Sequence, residues 1–498
     1  MEKNNCKSES KLNKKKIMKT QKKMTNYRWM ICAMLFFATT INYLDRQVLS
    51  LTWPKFIGPE FGWTNDDYGN ITAAFSILYA ISMLFAGRFV DWLGTKKGFL
   101  WAIGIWSVGA CMHAFCGIAT AGTVTGTWVS SFSGARELIE TFGITGKVVS
   151  LSVTFFIISR FVLALGEAGN FPAAIKATAE FFPKKDRAFS TSIFNSGATI
   201  GAMIAPACIL YIAEAWGWES SFLIIGALGF AWMGFWVFIY NKPEVHPKVN
   251  ELELAYIHQD KDSEIQVQNE IEKKQEKKLS FIKCFKFKQT WAFAFGKFMT
   301  DGVWWFYLFW MPKYLQTVFG IEGKAQVLPL TILYTIVMLS IYGGWLPTYF
   351  IEKKGMNPYS GRMRSMLIFA FFPLLALFAQ PLGNYSYWLP IIIIGIAGAA
   401  HQAWSANIFS TVGDMFPKSA IATVTGIGGM AGGIGSYIIQ KSAGKLFDYS
   451  GSTDMSFFGF KGEPAGYFIV FVVCSVAYLI GWVVIKSLVP KYKPIVVE

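Results

Sequence analysis

The chain has 498 residues, of which 53% are hydrophobic, 17% aromatic and only 15% charged, against about 25% charged in an ordinary soluble domain. Apolar runs of about 20 residues recur along it, which a soluble core does not require and a bilayer does. The net charge of +15 sits in tails and short junctions between those runs, following the positive-inside pattern of membrane proteins and not that of a nucleic-acid-binding surface. The seven cysteines are scattered, with no C-x-x-C pair and no Cys/His cluster. No disulfide framework, metal site or cofactor is therefore expected.

Residues 1–28 carry ten Lys/Arg against two Glu, a cytoplasmic tail too polar to bury. No cleavable signal peptide is expected, because the Lys-rich start runs into a full-length apolar run without an obvious small-residue cleavage site. Twelve such runs follow, near 29–51, 67–90, 98–120, 149–170, 188–212, 220–240, 290–317, 326–350, 364–382, 387–412, 420–440 and 466–488. The expected fold is an all-α integral membrane protein with twelve transmembrane helices in two six-helix bundles, at 29–240 and 289–488. A hydrophilic cytoplasmic linker, 241–288, joins them and holds a Glu/Lys-rich run from Glu270 to Lys278. Residues 489–498 form a second cytoplasmic tail. With the N-terminus inside, the basic junctions at Lys96-Lys97, Lys184-Lys185 and Lys353-Lys354 all fall on the cytoplasmic side. The long loop 121–148 falls outside and offers no further reading.

The halves repeat weakly. Phe182-Pro183-Lys184 after run 4 recurs as Phe416-Pro417-Lys418 after run 10. The same offset sets Glu167 on His401. Parallel six-helix repeats place a substrate site at their interface near the membrane midplane.

Run 1 contains Asn42-Tyr43-Leu44-Asp45-Arg46, two charges well inside a spanning helix. Such charges are costly in a bilayer and normally face a protein cavity. Neighbours in sequence lie about 100° apart on a helix and cannot pair along it, so Asp45 and Arg46 each need a partner from another helix or a ligand. A guanidinium fork suits an organic carboxylate, which makes Arg46 a substrate-binding candidate; the competing reading is a structural ion pair. Asp45 and Glu167 are candidate proton carriers, because burial and a nearby arginine pull a carboxylate's proton affinity in opposite directions. Arg160 and Glu167 are seven residues apart and share one face of run 4. Arg160 therefore joins the charge network of that cavity.

Between runs 2 and 3 stands Gly87-Arg88-Phe89-Val90-Asp91-Trp92-Leu93-Gly94-Thr95-Lys96-Lys97, which resembles the signature loop of the major facilitator superfamily. The resemblance assigns gating to Gly87, as a close-packing position, to Asp91, as a helix cap or ion-pair partner, and to Lys96. Trp92 departs from the basic residue usual there. Within that superfamily the chain resembles the hexuronate branch of the anion–cation symporters. Besides Asn42 to Arg46, this rests on Trp63-Thr64-Asn65-Asp66-Asp67-Tyr68-Gly69, Gly166-Glu167-Ala168-Gly169-Asn170-Phe171-Pro172 and Trp304-Trp305-Phe306-Tyr307-Leu308-Phe309-Trp310. It implies that Arg46 holds the substrate carboxylate and that Asp45 and Glu167 couple protons.

For the sugar hydroxyls, polar residues in apolar runs are candidates: Tyr79, Asn195, Gln402, Ser405 and Asn407, with helix–helix hydrogen bonding as the competing role. Tyr307 is the expected cavity residue of the aromatic run. Lys297 and Asp301, four apart, should pair as a structural or gating element, and His401 reads as a hydrogen-bonded spacer. Gly197, Gly201, Gly426, Gly429, Gly433 and Gly435 should allow close packing between the moving bundles.

The expected function is import of a hexuronate or related sugar acid with protons, by a monomer in the cell membrane (the inner membrane if the source is a Gram-negative bacterium) with both termini cytoplasmic. Its partners are the sugar-acid anion, protons and lipid. The alternatives are another organic anion such as an aldonate, anion exchange, or a membrane sensor using the linker as output. An enzyme is not expected, because no nucleophile–base pair or metal cluster appears in the sequence.

Overall fold

The computed structural model of the chain describes residues 23–259 and 281–495; the Glu270–Lys278 run lies outside them. The first bundle contains α1 (Tyr27–Thr52), α2 (Asn65–Leu93), α3 (Thr95–Ala114), α4 (Gly146–Phe181), α5 (Lys184–Trp216) and α6 (Trp218–Ile239). The second contains α7 (Lys288–Phe319), α8 (Gly323–Lys353), α9 (Pro358–Gly383), α10 (Trp388–Met415), α11 (Lys418–Ser452) and α12 (Glu463–Leu488). Eight of these are long and apolar enough to cross a bilayer, and α3 with its bent continuation makes nine. The remaining three are α1, α7 and α11. All three face the opposite bundle, where polar residues and glycine are sheltered from lipid. Large apolar side chains such as Phe37, Phe85 and Phe238 point outward from the bundles, as a lipid-facing surface requires.

Local signals set the helix ends. Thr64 and Asp67 form a reciprocal capping box that starts α2. Gly94 takes φ +77° between α2 and α3, and Gly217 takes φ +88° between α5 and α6, a backbone conformation that glycine adopts without strain. The repeated Phe-Pro-Lys elements adopt one geometry: Pro183 precedes α5 at φ −63°, ψ 158°, and Pro417 precedes α11 at φ −62°, ψ 150°.

The loop 121–148, opaque in the sequence, is structured. Residues Cys116–Thr125 continue α3 after a 49° bend, and a helix at Phe132–Phe142 follows, capped by Ser131. Arg136 on that helix donates to Glu60 at 3.1 Å and to Glu219 at 2.7 Å, and Glu60 also accepts from the Trp218 indole at 2.8 Å. The loop helix thereby ties the short helix Gly58–Phe61, which follows α1, to the start of α6. Burial pushes the Glu60 carboxyl up from its usual range, against the opposing pull of Trp218 and Arg136.

The described start of the linker is not merely solvated, as the sequence reading expects. Glu253 is fully buried and accepts from Thr25 Oγ1 (2.7 Å), from the backbone N–H groups of Tyr27 and Arg28 (3.0 and 3.1 Å) and from Arg28 Nη1 (3.1 Å). The N-terminus of a helix exposes donors and favours negative charge, so this carboxylate caps α1 from a distant segment. Tyr256, under the Arg28 guanidinium at 4.7 Å, reaches Asp186 of α5 at 2.7 Å. Glu253→Ala strands a buried arginine and should destabilise this end of the bundle by about 3–5 kcal/mol. Thermal unfolding of the purified protein followed by intrinsic tryptophan fluorescence checks it; an unchanged midpoint would refute the strap.

The hydrogen bonds described between the bundles lie on the half of the molecule away from the chain ends. Asp448 of α11 accepts from the backbone N–H groups of Asn65 (3.0 Å) and Asp66 (2.7 Å) and from Asn65 Nδ2 (3.0 Å). Lys441 bonds Asp66 at 3.3 Å and also Asn70. Lys324 bonds Glu214 at 3.2 Å, Gln316 donates to the Pro54 carbonyl at 3.1 Å, and Tyr68 donates to the Phe309 carbonyl at 2.9 Å. A Cβ on Gly69 would come within 2.9 Å of the Gln440 carbonyl, so α2 and α11 touch backbone to backbone there. Toward the chain ends the same two helices diverge: a Cβ on Gly426 would be 3.7 Å from Leu84, and one on Gly429 4.0 Å from Met83. The molecule is closed at the face away from its termini.

Asp448 is the densest of these closures, and hydrogen bonds to a charged group are worth about 2 kcal/mol each. Asp448→Ala should favour opening of this face by more than tenfold. Spin labels at Glu140 and Ser452, across that face, should report a longer distance population in the variant. An unchanged distribution rules the closure out.

Candidate functional site

The two charges of α1 lie at the centre of the first bundle. Arg46 donates from Nε to Glu167 Oε2 at 2.6 Å, with side-chain exposures of 4% and 0%. Aromatic rings surround the guanidinium: Tyr79 at 4.6 Å, Tyr43 at 5.0 Å and Trp305 of the second bundle at 5.6 Å. Its Nη2 is buried with no hydrogen-bond partner among the described residues, so the pair with Glu167 leaves part of the fork's donor capacity unused. Asp45, on the adjacent face of α1, is buried with both oxygens unbonded. It lies within electrostatic range of Glu167, Arg160 and Arg46. Arg160, 5.2 Å under the Phe75 ring, keeps Nε and Nη1 unbonded. Two carboxylates and two guanidiniums thus share one buried compartment, their formal charges balanced when all four are ionised.

A break in α4 positions Glu167. The first segment ends at Glu167 and the second begins at Asn170. A Cβ on Gly166 would run into the backbone of Trp106 and Ala102 on α3; only glycine lets α4 seat deeply enough there. Asn170 and Asn42 are buried with their amides unbonded, polar capacity that the sequence reading did not single out.

The other expected site residues divide. Tyr79 is half-buried on Arg46. Tyr307, the expected cavity residue, is instead 1% exposed, inside the second bundle beside Cys474. Trp305, two residues earlier, faces Arg46. An aromatic run points in every direction around a helix, and only packing decides which ring meets the other bundle. Asn407 donates to the carbonyls of Gly343 (3.0 Å) and Ala403 (2.8 Å), which joins α10 to a 3₁₀ turn in α8. Gln402 and Ser405 are half-buried, and Asn195 is exposed. Among the described residues, no hydrogen bond links these four polar side chains to Arg46. His401 bonds the Tyr478 hydroxyl at 2.8 Å and stacks on Trp304, a spacer as expected.

In the loop after α2, Asp91 pairs with Lys176 of α4 at 2.8 Å, and Lys96 donates to Asn241 at 3.1 Å. Gly87 has no heavy atom within 4 Å of its Cβ position; the close approach expected there is found instead at Gly98, against Val90. Gly197 and Gly201 pack on Phe36, Thr40 and Tyr43 within the first bundle, and Gly435 on Phe298 within the second. Of that set, Gly433, against Ala80, makes the tight contact between bundles.

The model of the Major Facilitator Superfamily matches residues 35–439, from within α1 to within α11. The chain belongs to the major facilitator superfamily. Like its relatives there, it is a multi-pass membrane transporter and not an enzyme. It is 28% identical to the hexuronate transporter of Escherichia coli strain K12, over 86% of this chain and 90% of that one. It is 26% identical to the galacturonate transporter of Dickeya chrysanthemi, over 67% of this chain and 86% of that one. A crystal structure of a bacterial homologue of the human lysosomal transporter Spinster superimposes with a TM-score of 0.64 at 17% identity, over 94% and 97% of the two chains. That likeness supports the superfamily fold of two six-helix bundles.

Proposed function

We propose that this transporter carries a hexuronate or a closely related sugar acid into the cell with protons, by alternating access. The buried Arg46–Glu167 pair, 2.6 Å long and with Nη2 left unbonded, carries the reading, together with relatives named for hexuronate and galacturonate transport. A substrate carboxylate that reaches Arg46 competes with Glu167 for one guanidinium. Protonation of Glu167 removes that competition, and its deprotonation on the inner side restores it and expels the substrate. Asp45 is the second proton carrier, with Arg160 as its counter-charge. In this scheme both termini and the linker are cytoplasmic and the protein is a monomer in the cell membrane.

Charge balance supports proton coupling. An anion entering a cell is opposed by about 2.3 kcal/mol per charge per 100 mV of membrane potential. One co-transported proton cancels that opposition, and a second makes the potential favourable.

The test is uptake of labelled galacturonate or glucuronate into proteoliposomes, with and without an inward proton gradient. Accumulation that follows the gradient, competed by unlabelled uronate and not by neutral hexose, is expected. Counterflow indifferent to the gradient would remove the proton roles of Asp45 and Glu167. Absence of flux for both acids would overturn the substrate class.

A further inference from the structure

Lys297, Asp301 and Trp305 recur at four-residue spacing and so line one face of α7. Trp305 lies 5.6 Å from both the Arg46 guanidinium and the Tyr79 ring of the first bundle. Asp301 and Lys297 follow one and two turns nearer the chain-end face, so the stripe continues the second bundle's wall beyond Arg46. Lys297 Nζ holds Asp301 Oδ1 at 2.7 Å and lies 4.3 Å over the Phe409 ring. Asp301 also presses on α11, where a Cβ at Gly432 would run into its carboxylate. It lies within electrostatic range of the Tyr43 hydroxyl on α1.

The ammonium is engaged and covered, with its side chain 6% exposed, against 17% for Asp301. Asp301 is therefore the less covered member of the pair, and its carboxylate is a hydrogen-bond acceptor. Helix stability does not account for the pair: an i,i+4 ion pair is worth about 0.5 kcal/mol at best, far below the cost of placing two charges midway along a membrane helix.

We propose that Asp301, held by Lys297, reads the end of the sugar acid farthest from the Arg46-bound carboxylate. It accepts hydrogen bonds from hydroxyls there and disfavours an acid with a second carboxylate at that end. This inference rests on the sugar-acid reading above. One helical turn, about 5.4 Å, separates Trp305 from Asp301, roughly the reach of a six-carbon acid beyond its carboxylate. Hydroxyls donating to a carboxylate make charge-assisted bonds, whereas a second carboxylate meets like charge, and like-charge contacts set specificity by repulsion.

The experiment is uptake of labelled galacturonate by the full chain in proteoliposomes, competed by galacturonate or by galactarate, which carries a second carboxylate in place of the aldehyde carbon. In the unmodified protein galactarate should compete at least about tenfold more weakly. Asp301→Asn should raise the KM for galacturonate about tenfold and bring galactarate close to parity. The double variant Lys297→Gln, Asp301→Asn leaves no stranded charge and should lose the preference in the same way. A lower rate with an unchanged ratio of the two acids in both variants is the signature of a purely structural pair and overturns the proposal. So does equal competition by galactarate in the unmodified protein. Uptake of neither acid by the unmodified protein instead defeats the sugar-acid reading and takes this proposal with it.

Discussion

Replacing Arg46 by alanine should abolish sugar-acid uptake, with a loss of at least about a hundredfold in initial rate, or close to 3 kcal/mol of lost recognition. Two effects add. The substrate carboxylate loses its two-pronged, charge-assisted partner, and Glu167, 0% exposed, loses the hydrogen bond that satisfies Oε2. Arg46→Lys should fail as well, because an ammonium on a flexible stem cannot form the planar fork that grips both Glu167 and a ligand. The rings of Tyr43, Tyr79 and Trp305 also fit a flat cation better than a tetrahedral one. The measurement is initial-rate uptake of labelled galacturonate per reconstituted molecule, with size-exclusion profiles to show that the variants remain folded. Near-normal uptake by either variant removes Arg46 from the substrate site.

Glu167→Gln should uncouple accumulation from the proton gradient while leaving exchange intact. Glutamine resembles the protonated carboxyl in shape and charge but cannot release a proton, so the site stays permanently in the loaded state. Gradient-driven accumulation should fall by about tenfold or more, and counterflow of labelled against unlabelled galacturonate should stay within about threefold of normal. Affinity for the anion should rise, because no carboxylate then competes for Arg46. A variant that still accumulates substrate on a proton gradient would transfer the coupling role elsewhere, first to Asp45. That side chain is equally buried, has no bonded oxygen and lies within range of Arg160. A variant that loses counterflow too would make the pair structural.

The sequence and the structure agree most closely where the information is local. Twelve apolar runs became twelve long helices, because bilayer thickness sets the length of any spanning helix and hydropathy is a property of a short window. The intramembrane charges were legible for the same reason: Asp45 and Arg46 stand out against the apolar residues on either side. The seven-residue spacing of Arg160 and Glu167 puts both on one face of α4, and both lie within electrostatic range of Asp45; the four-residue spacing correctly paired Lys297 with Asp301. Helix ends were less legible: the apolar runs 149–170 and 420–440 belong to helices that continue to Phe181 and Ser452, because polar turns beyond the apolar window extend them.

Contacts made at long range were not legible. That Arg46 bonds Glu167 directly while Asp45 and Arg160 keep unbonded atoms depends on how deeply α4 seats on α3, which the backbone contact at Gly166 decides. Trp305 and Tyr307 are equivalent in the sequence; the rotation of α7 against α2 sends one to Arg46 and the other toward Cys474. Glu253 looks like one more acid in a polar linker, yet it is buried against the first turn of α1, more than 220 positions earlier. Hydropathy and spacing determine which segments cross the membrane and which residues share a helix face. Which face meets which neighbour is set by the joint packing of all twelve helices, and only the tertiary structure decides it.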